Sequence, residues 1–308
     1  MKIGALGTLV WDVNRHPSLA AGGGSLEQWG GATYSLAALS AARAGGWVVE
    51  PIIKVGADVA DRASELLAAL PGVVAGAGVR VVPERNNRVE LLYHDRNERR
   101  EQQSGGVPPW TWEEIEPLLG GLNALYVNFI SGRELDLSAA ERVRSAFRGT
   151  IHGDLHSLFL GPAGDRPRAP RALPEWRRWV ACFDVVQLNE TELRLLAAGR
   201  SPDDRFLRGL LDLGPRAVAV TLGERGVRFA AREGGVERTG IVPPPGGALQ
   251  GDPTGCGDVW GGAFFALLMG GTPLEDAVAA AQRYAAEKMR DPATATLPGR
   301  LRALRAAS

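Results

Sequence analysis

Short apolar runs alternate along the chain with longer segments whose apolar residues recur at helical spacing. The runs predict strands at residues 2–10, 47–55, 124–130, 149–155, 184–188 and 217–222. The intervening segments predict helices at residues 31–44, 60–70, 138–148, 190–198 and 203–212. This order favours an α/β fold in which helices cover both faces of a mostly parallel sheet. Ligands of such sheets bind outside the carboxyl ends of the strands.

Two segments interrupt this alternation and predict a separate small sheet. Residues 11–30 contain Pro17 and three glycines at 22–24, and residues 79–106 alternate polar and apolar side chains. Such alternation is typical of strands that have one face in water. We expect the two segments to pair as a small antiparallel lid that projects from the main sheet; two ordinary long loops are the alternative. The chain of 308 residues is then one domain, residues 1–308, with both lid segments inside it.

Composition and charge narrow the function classes. Lys plus Arg and Asp plus Glu each number 35, so no basic surplus marks a nucleic-acid or membrane-surface binder. No apolar run approaches the roughly 18 residues of a membrane span, and the first residues lack the pattern of a signal peptide. Cys182 and Cys256 lack the paired spacing of disulfide or zinc motifs. We therefore expect a cytoplasmic protein with neither nucleic acid nor membrane as a partner.

A Gly-rich turn at residues 251–258 precedes an apolar run with helical character. In such a turn the backbone amides of Gly255, Cys256 and Gly257 are expected to be unpaired and to point the same way, and the helix dipole adds positive charge there. This arrangement suits the charge of a phosphoryl group in transfer. Asp258, in the first helical turn, can accept the proton of an attacking hydroxyl. The alternative is an ordinary turn in which Asp258 is only a helix N-terminal charge.

The spacing within the Gly-rich turn points to one family. Its glycines do not follow the Rossmann pattern, and no Gly-Lys-Ser/Thr follows them, as a P-loop requires. The run from Asp252 to Asp258 instead resembles the C-terminal signature of the PfkB (ribokinase-like) carbohydrate kinase family, usually Asp-Thr-x-Gly-Ala-Gly-Asp, with Cys256 in the usual Ala position. The resemblance extends from Ile3 to about Lys288. It implies a Rossmann-like α/β core with a small β-sheet lid.

The N-terminal part of the chain resembles the acceptor site of the same family. Residues 29–35 are similar to the Gly-Gly signature that opens a helix near the sugar, which implies that Gly30 and Gly31 bind substrate. Ser35 occupies the position of the usual Asn and is a further substrate-binding candidate. Asp12, just past the first predicted strand, corresponds to the family's Asp that binds sugar hydroxyls.

Two further motifs imply the donor site. Asn189 to Glu192 resembles the Asn-x-x-Glu motif, in which Glu192 holds water-bound Mg²⁺ near the phosphates. On a helix these two side chains share a face, and a capping box explains the same spacing, so both roles stay open. Residues 220–226 resemble the family's nucleotide-contacting turn, for which a plain β-turn is the alternative. The residues assigned to nucleotide binding are Asn189, Thr221, Gly223, Gly226 and Thr254.

Other polar residues carry weaker signals. Period-two alternation puts His152, Asp154 and His156 on one face of a predicted strand, but a metal site there would rest on spacing alone. Asp154 also corresponds to a family Asp near the phosphates. A position at a helix N-terminus is expected to lower the thiol pKa of Cys256. Four cations are candidates for meeting a phosphate already on the substrate, with solvated charge as the alternative: Lys54, Arg88, Arg96 and Arg99.

These motifs predict an ATP-dependent phosphotransferase that phosphorylates a hydroxymethyl group of a sugar or sugar-like compound, with ATP and Mg²⁺ as cofactors. One alternative is a nucleoside kinase with an adenosine-like acceptor, whose base would need an aromatic slot such as Trp11 and Trp29. The other is a non-catalytic sugar- or nucleotide-binding regulator, against which the intact Asp258 argues. The motifs name neither the acceptor nor its phosphorylation state, and they reveal no requirement for a monovalent cation. A homodimer through free lid edges is a further hypothesis.

Overall fold

The strands of the protein divide into two sheets. The computed structural model describes residues 1–15, 26–93, 99–164, 167–246 and 251–306. Within these residues the strands are β1 (Lys2–Leu6), β2 (Leu9–Arg15), β3 (Leu26–Gly31), β4 (Val48–Gly56), β5 (Val79–Val82), β6 (Arg88–Tyr93), β7 (Arg99–Ser104), β8 (Ala124–Asn128), β9 (Thr150–Asp154), β10 (Val185–Asn189), β11 (Ala217–Thr221), β12 (Val227–Glu233) and β13 (Val236–Val242).

The large sheet is mostly parallel, as predicted. Its described strands lie in the order β13-β12-β11-β10-β9-β8-β1-β4-β5. All pairs from β11 to β5 are parallel, and the hairpin of β12 and β13 adds two antiparallel pairs at one edge. The carboxyl ends of β1, β8, β9, β10 and β11 therefore meet at one edge of the sheet.

Helices cover both faces of the large sheet, which confirms the predicted fold class. They are α1 (Ala32–Ala42), α2 (Ala60–Ala68), α3 (Trp112–Leu119), α4 (Leu137–Ala146), α5 (Trp176–Ala181), α6 (Glu190–Leu196), α7 (Asp204–Leu211), α8 (Cys256–Met269), α9 (Leu274–Arg290) and α10 (Leu297–Ala306). In the described part of the chain, none of these helices has the length and apolar character needed to cross a membrane.

The two faces of the sheet have separate cores because successive strand side chains point to opposite sides. On β10, for example, Val185 packs in the core formed with α1, α2, α8, α9 and α10. Its neighbour Val186 packs in the core formed with α3 to α7. The first core contains the helices whose N-terminal ends carry the Gly-Gly and Gly-rich motifs.

The small sheet has the strand order β3-β2-β6-β7 and consists of parts of the two expected lid segments. Its outer pairs are antiparallel, but the central pair β2 and β6 is parallel. In the chain, β2 follows the carboxyl end of β1, and β6 follows the carboxyl end of β5. Because β1 and β5 are parallel strands of the large sheet, β2 and β6 run in the same direction. Residues 79–82 of the second segment pair with β4 as part of the large sheet. Residues 16–25 and 94–98 of the segments lie outside the described residues.

Several elements differ from the sequence analysis. The predicted strand 2–10 is split after Leu6, because the chain passes from the large sheet to the small sheet at Gly7 and Thr8. The hairpin of β12 and β13 turns at Gly234 and Gly235, both with positive φ. Neither this hairpin nor the C-terminal helices α9 and α10 follow from the predicted alternation.

The buried carboxylate of Glu134 ties the loop after β8 to the junction between the two sheets. Its Oε1 accepts hydrogen bonds from the Thr8 hydroxyl at 2.8 Å and the Ser131 amide at 2.6 Å. Its Oε2 accepts from the amides of Gly132 at 3.0 Å and Arg133 at 3.1 Å. One side chain thus satisfies four donors and fixes where the small sheet leaves the large one.

We predict that Glu134→Ala lowers the free energy of unfolding by about 3 kcal/mol or more, because the substitution leaves several partly buried donors without an acceptor. Urea unfolding followed by circular dichroism measures the change. Glu116→Ala, at an exposed position of α3, is the control and should stay within about 0.5 kcal/mol of the parent protein. An unchanged Glu134→Ala midpoint would show that the junction holds without this carboxylate.

Candidate active site

A polar cleft of about 300 Å³ lies at the carboxyl ends of the parallel strands, beside the small sheet. This is the position that a parallel α/β sheet offers to ligands. The cleft is lined from four directions: by the small sheet, by the strand ends, by the start of α1 and by the start of α8. Its polar lining residues include Asp12, Tyr34, Glu101, Asp154, His156, Gln187, Asn189, Glu192, Thr221, Thr254 and Asp258.

The Gly-rich turn reaches the cleft through a left-handed residue. Gly255 is the N-cap of α8 with φ of +75°. A Cβ at this position would lie 2.5 Å from the ring of Tyr34, so the turn packs directly on that ring. Only glycine combines this backbone conformation with so close a contact.

The sequence analysis predicted unpaired backbone amides at the start of α8, and this prediction is wrong for Cys256. The amide of Val259 donates to the carbonyl of Gly255 at 2.9 Å, and the amide of Gly257 lies in the turn before this bond. The amide of Cys256 is not unpaired as expected, because it donates to the carbonyl of Pro253 at 3.1 Å and so closes the turn. We therefore assign Cys256 a role in turn geometry.

Asp258 is oriented by a residue that sequence reasoning missed. Its Oδ1 accepts a hydrogen bond from the side-chain amide of Asn128 at 2.8 Å. Asn128 is fully buried at the carboxyl end of β8. In the sequence, Asn128 is recognisable as a polar residue near the end of an apolar run, but only the strand order brings this residue next to α8.

Carboxylates and one histidine crowd the wall of the cleft opposite the small sheet. Burial raises the pKa of the Asp154 carboxyl well above its usual range, and the carboxylate of Asp258 raises this pKa further. The Nδ1 of His156 lies 2.9 Å from Oε1 of Glu192. Desolvation by itself would lower the pKa of His156, but the hydrogen bond and charge of Glu192 raise it to about 9. His156 is therefore a cation among three acids at neutral pH.

The two roles proposed for Asn189 and Glu192 are compatible. The capping box exists: the Asn189 side chain accepts from the Glu192 amide at 3.0 Å, and Glu192 Oε2 accepts from the Asn189 amide at 2.7 Å. Among the described residues, no group of three His, Cys, Asp or Glu side chains could hold a metal ion. Mg²⁺ fits such a wall, because it keeps several waters and takes few protein ligands beside substrate phosphates. Its binding here stays a prediction.

The acceptor-site residues are only partly brought together. The carboxylate of Asp12 lies over Gly30, and Asp12 lines the cleft. Gly31, the N-cap of α1, has φ of +58° and also lines the cleft. Ser35 is a correction: it is buried inside α1, and its hydroxyl donates to the carbonyl of Ala32 at 3.1 Å, so it is not turned to the cleft.

Tyr34 lines the cleft in place of Ser35 and was not predicted. Its ring supports Gly255, and its buried hydroxyl has no hydrogen-bond partner among the described residues. Burial raises the pKa of this hydroxyl well above its usual range, and the charge of Asp12 raises it further. The hydroxyl is thus neutral and available as a donor.

A second, mostly apolar pocket of about 280 Å³ adjoins the cleft and shares Thr221, Pro253 and Gly257 with it. Gly223 and Gly226 of the predicted nucleotide turn line this pocket. Its other lining residues include Val227, Pro244, Pro245, Cys256, Trp260, Ala285, Ala286 and Met289. Thr254 is mostly buried and lines the cleft but not this pocket, and its amide donates to Oδ1 of Asp252 at 3.0 Å.

Two expectations about histidine and cysteine chemistry are wrong. His152 is fully buried in the core, where desolvation lowers its pKa to about 3, and its Nε2 lies 3.2 Å from Oε1 of Gln187. It does not share a face with His156, which lies beyond the end of β9. Burial raises the pKa of the Cys256 thiol to about 12, so the helix terminus does not activate it.

Lys54 and Arg88 are the candidate phosphate-binding cations whose side chains the structure describes, and neither lines the cleft. Lys54 is buried and donates to the carbonyl of Pro109 and to Glu114. Arg88 forms an ion pair with Glu27 at 3.6 Å. Arg96 and the side chain of Arg99 lie outside the described residues. Trp11 and Trp29 pack edge to face with 5.3 Å between ring centroids, and neither is a lining residue of the cleft.

Comparison with known proteins decides the family. The model of the pfkB family carbohydrate kinases matches residues 38–298. The chain belongs to this family. No curated protein sequence matches it. Family membership makes the protein a carbohydrate kinase of the pfkB class.

Solved structures share the fold over nearly the whole chain at low sequence identity. A ribokinase from Thermotoga maritima is 18% identical with a TM-score of 0.76, covering 99% of each chain. An E. coli protein assigned as ribokinase II, in complex with ATP and Mg²⁺, is 18% identical with a TM-score of 0.75, covering 100% of this chain and 99% of that one. An adenosine kinase from Sinorhizobium meliloti is 18% identical with a TM-score of 0.76, at the same coverage.

We predict that Gly255→Ala lowers the turnover of this kinase roughly 10²-fold, because a displaced turn misaligns the phosphoryl group. It should also lower the free energy of unfolding by about 1–3 kcal/mol, since alanine is strained at this φ and its Cβ meets the Tyr34 ring. An ADP-release assay and urea unfolding measure the two effects.

The control for this variant is Gly209→Ala in α7, where a Cβ would meet nothing within 4 Å. It should keep full turnover and equal or higher stability, because alanine favours a helix interior. Parent-like turnover and stability of Gly255→Ala would show that the turn can move away from Tyr34 without harm.

Proposed function

We propose that this protein is an ATP-dependent kinase that phosphorylates a hydroxymethyl group of an unphosphorylated sugar or sugar-like compound. One observation carries the proposal: a polar, acidic cleft and an apolar pocket adjoin at the Gly-rich turn, with Asp258 at the cleft side. Such a pair of cavities suits an acceptor with many hydroxyls on one side and a donor with an apolar base on the other.

The apolar pocket supports a nucleotide as the donor. Its lining includes the side chains of Val227, Trp260 and Met289, which can contact the faces of a purine. Thr221 and Gly257, shared by both cavities, would then lie near the phosphates. A donor without a base, such as pyrophosphate, would leave this apolar surface uncovered.

The charge of the cleft supports an acceptor without a phosphate. On the side of the small sheet, which we take as the acceptor side, the cleft is lined by Asp12 and by Glu101, whose carboxylate pairs with the buried Arg168 at 3.1 Å. Among the described lining residues there is no Lys or Arg, and His156 is held by Glu192. Carboxylates accept hydrogen bonds from sugar hydroxyls and repel a second phosphate. The slot considered for a nucleoside base is not formed by Trp11 and Trp29 in the described part of the chain, because these rings pack on each other and neither lines the cleft.

In the proposed reaction the acceptor hydroxyl attacks the γ-phosphorus as Asp258 takes its proton. The new P–O bond forms while the bond to the β-phosphate oxygen breaks, and ADP leaves. Asn128 keeps the carboxylate of Asp258 in place, and the first amides of α8 stabilise the charge on the transferred group. Mg²⁺, when bound, would neutralise phosphate charge, with Asn189 and Glu192 holding it through water.

The small sheet is the proposed lid of this site. Asp12, Val10 and Val89 of the small sheet line the cleft, so its movement toward the large sheet would exclude water from the reacting groups. A homodimer through the outer strands β3 and β7 stays a prediction.

The experiment that tests this proposal is a screen of acceptors and donors in an ADP-release assay. With ATP and Mg²⁺, an unphosphorylated sugar such as ribose or fructose should release ADP, whereas fructose phosphates should not. Pyrophosphate as donor leaves phosphate instead of ADP, so that arm is followed by the phosphorylated sugar, which should not form. Preference for a sugar phosphate would overturn the acceptor assignment, and preference for a nucleoside would favour the alternative kinase. Binding by calorimetry without any product would favour a non-catalytic regulator.

We predict that Asp258→Asn lowers kcat by roughly 10²–10⁴-fold, the usual contribution of a general base. The asparagine keeps the size of the side chain, so the acceptor KM should change little. Asp61→Asn, at an exposed position of α2, is the control and should leave kcat unchanged. Near-normal turnover of Asp258→Asn would reject the assignment of this carboxylate as the base.

A further inference from the structure

A buried lysine lies behind the Gly-rich turn and outside both cavities. Lys288, near the end of α9, is 0% exposed, and its Nζ has no hydrogen-bond partner among the described residues. Only three of the 35 Lys and Arg residues of the chain are lysines. The compact ammonium of lysine fits an enclosed position into which the broader guanidinium group of arginine would not fit.

The charge of Lys288 is balanced by one carboxylate of the turn. Its Nζ lies 3.7 Å from Oδ2 of Asp252, and that oxygen likewise has no hydrogen-bond partner among the described residues. The ammonium also lies 5.4 Å from the ring centroid of Tyr34, close enough for a cation–π contact. A buried charge is costly without such partners, so Lys288 and Asp252 depend on each other.

Asp252 transmits this contact to the phosphate site. Its other oxygen, Oδ1, accepts from the amide of Thr254 at 3.0 Å and so closes the turn that leads to Gly255. The thiol of Cys256 adds two weaker contacts, to the carbonyls of Asp252 at 3.7 Å and Ala285 at 3.6 Å. Helix α9 therefore supports the Gly-rich turn from behind.

The ring of Tyr34, which belongs to α1, touches both the lysine and the turn. Its centroid lies 5.4 Å from the ammonium of Lys288, and the backbone of Gly255 packs against the ring. Since Gly255 is the N-cap of α8, the amides of Gly257 and Asp258 follow the position of this ring and of the turn.

We infer that Lys288 is a positioning residue for phosphoryl transfer: its ammonium fixes Asp252 and thereby the backbone amides that face the migrating phosphate. The inference rests on the proposed function of the Gly-rich turn. Lys288 is not a catalytic residue, because it lines neither cavity. Its side chain acts as an internal cation built into the fold at the back of the phosphate site.

The test compares kcat and KM of Lys288→Met, Asp252→Asn and the double variant in the ADP-release assay. Methionine keeps the length of the side chain and removes its charge. We expect Lys288→Met to lower kcat roughly 10²-fold, as a small displacement of reacting groups does, while the acceptor KM stays within about twofold. Because Lys288 acts through Asp252, the double variant should be no slower than Asp252→Asn alone.

Lys54→Met is the matched control, because Lys54 is also a buried lysine, 5% exposed, in an ion pair with Glu114. It should lower stability and leave kcat unchanged. If Lys288→Met does not fold, the double variant of Lys288→Met and Asp252→Asn is measured in its place. The double variant no longer contains the Asp252 carboxylate, which Lys288→Met leaves without its ion-pair partner. Its kcat should then match that of Asp252→Asn.

Four results would overturn the inference, the last of them together with the proposed function. A folded Lys288→Met variant with parent-like kcat would reduce the lysine to a structural role, as would a double variant with parent-like kcat. Losses that multiply in the double variant would show that Lys288 does not act through Asp252. A parent protein that releases no ADP with any acceptor would instead overturn the proposed function, and this inference with it.

Discussion

The contact between the start of α8 and the ring of Tyr34 is the constraint on which the site depends. Gly255 can make this contact because it has no side chain and adopts a φ of +75°. The contact directs the first amides of α8 toward the carboxyl edge of the large sheet. Asn128, at the end of β8, then meets Asp258 across 2.8 Å and fixes the orientation of its carboxylate. A helix and a strand that are far apart in sequence thereby meet at one point of the cleft.

The electrostatic environment differs between the two sides of the Gly-rich turn. In front of the Gly-rich turn, burial raises the pKa of Asp154, and the carboxylates of Asp258 and Glu192 raise it further. His156 offsets part of this charge through Glu192. Behind the turn, the ammonium of Lys288 faces Asp252. The helix dipole and the ammonium thus place positive charge at the turn, next to a cleft lined by acids.

Predictions from local signals agree best with the structure. The capping box of Asn189 and Glu192 and the Gly-rich turn before α8 depend on a few neighbouring residues, so their spacing is sufficient. The alternation of strands and helices likewise predicts the parallel order, because a short apolar run between helices is buried on both faces. The prediction of one extended strand at residues 2–10 failed because the chain changes direction at Gly7. The prediction that His156 shares a strand face with His152 failed because the strand ends before His156.

The sequence by itself determined the α/β architecture, the Gly-rich turn and the candidate base Asp258, since these follow from periodicity and from residue types at short spacing. The tertiary structure alone decided which residues surround them. Tyr34 rather than Ser35 faces the cleft, the thiol pKa of Cys256 is raised rather than lowered, and Lys288 lies behind the turn. Burial and pairing between distant segments set these properties, because desolvation and charge act through space and leave no trace in local spacing.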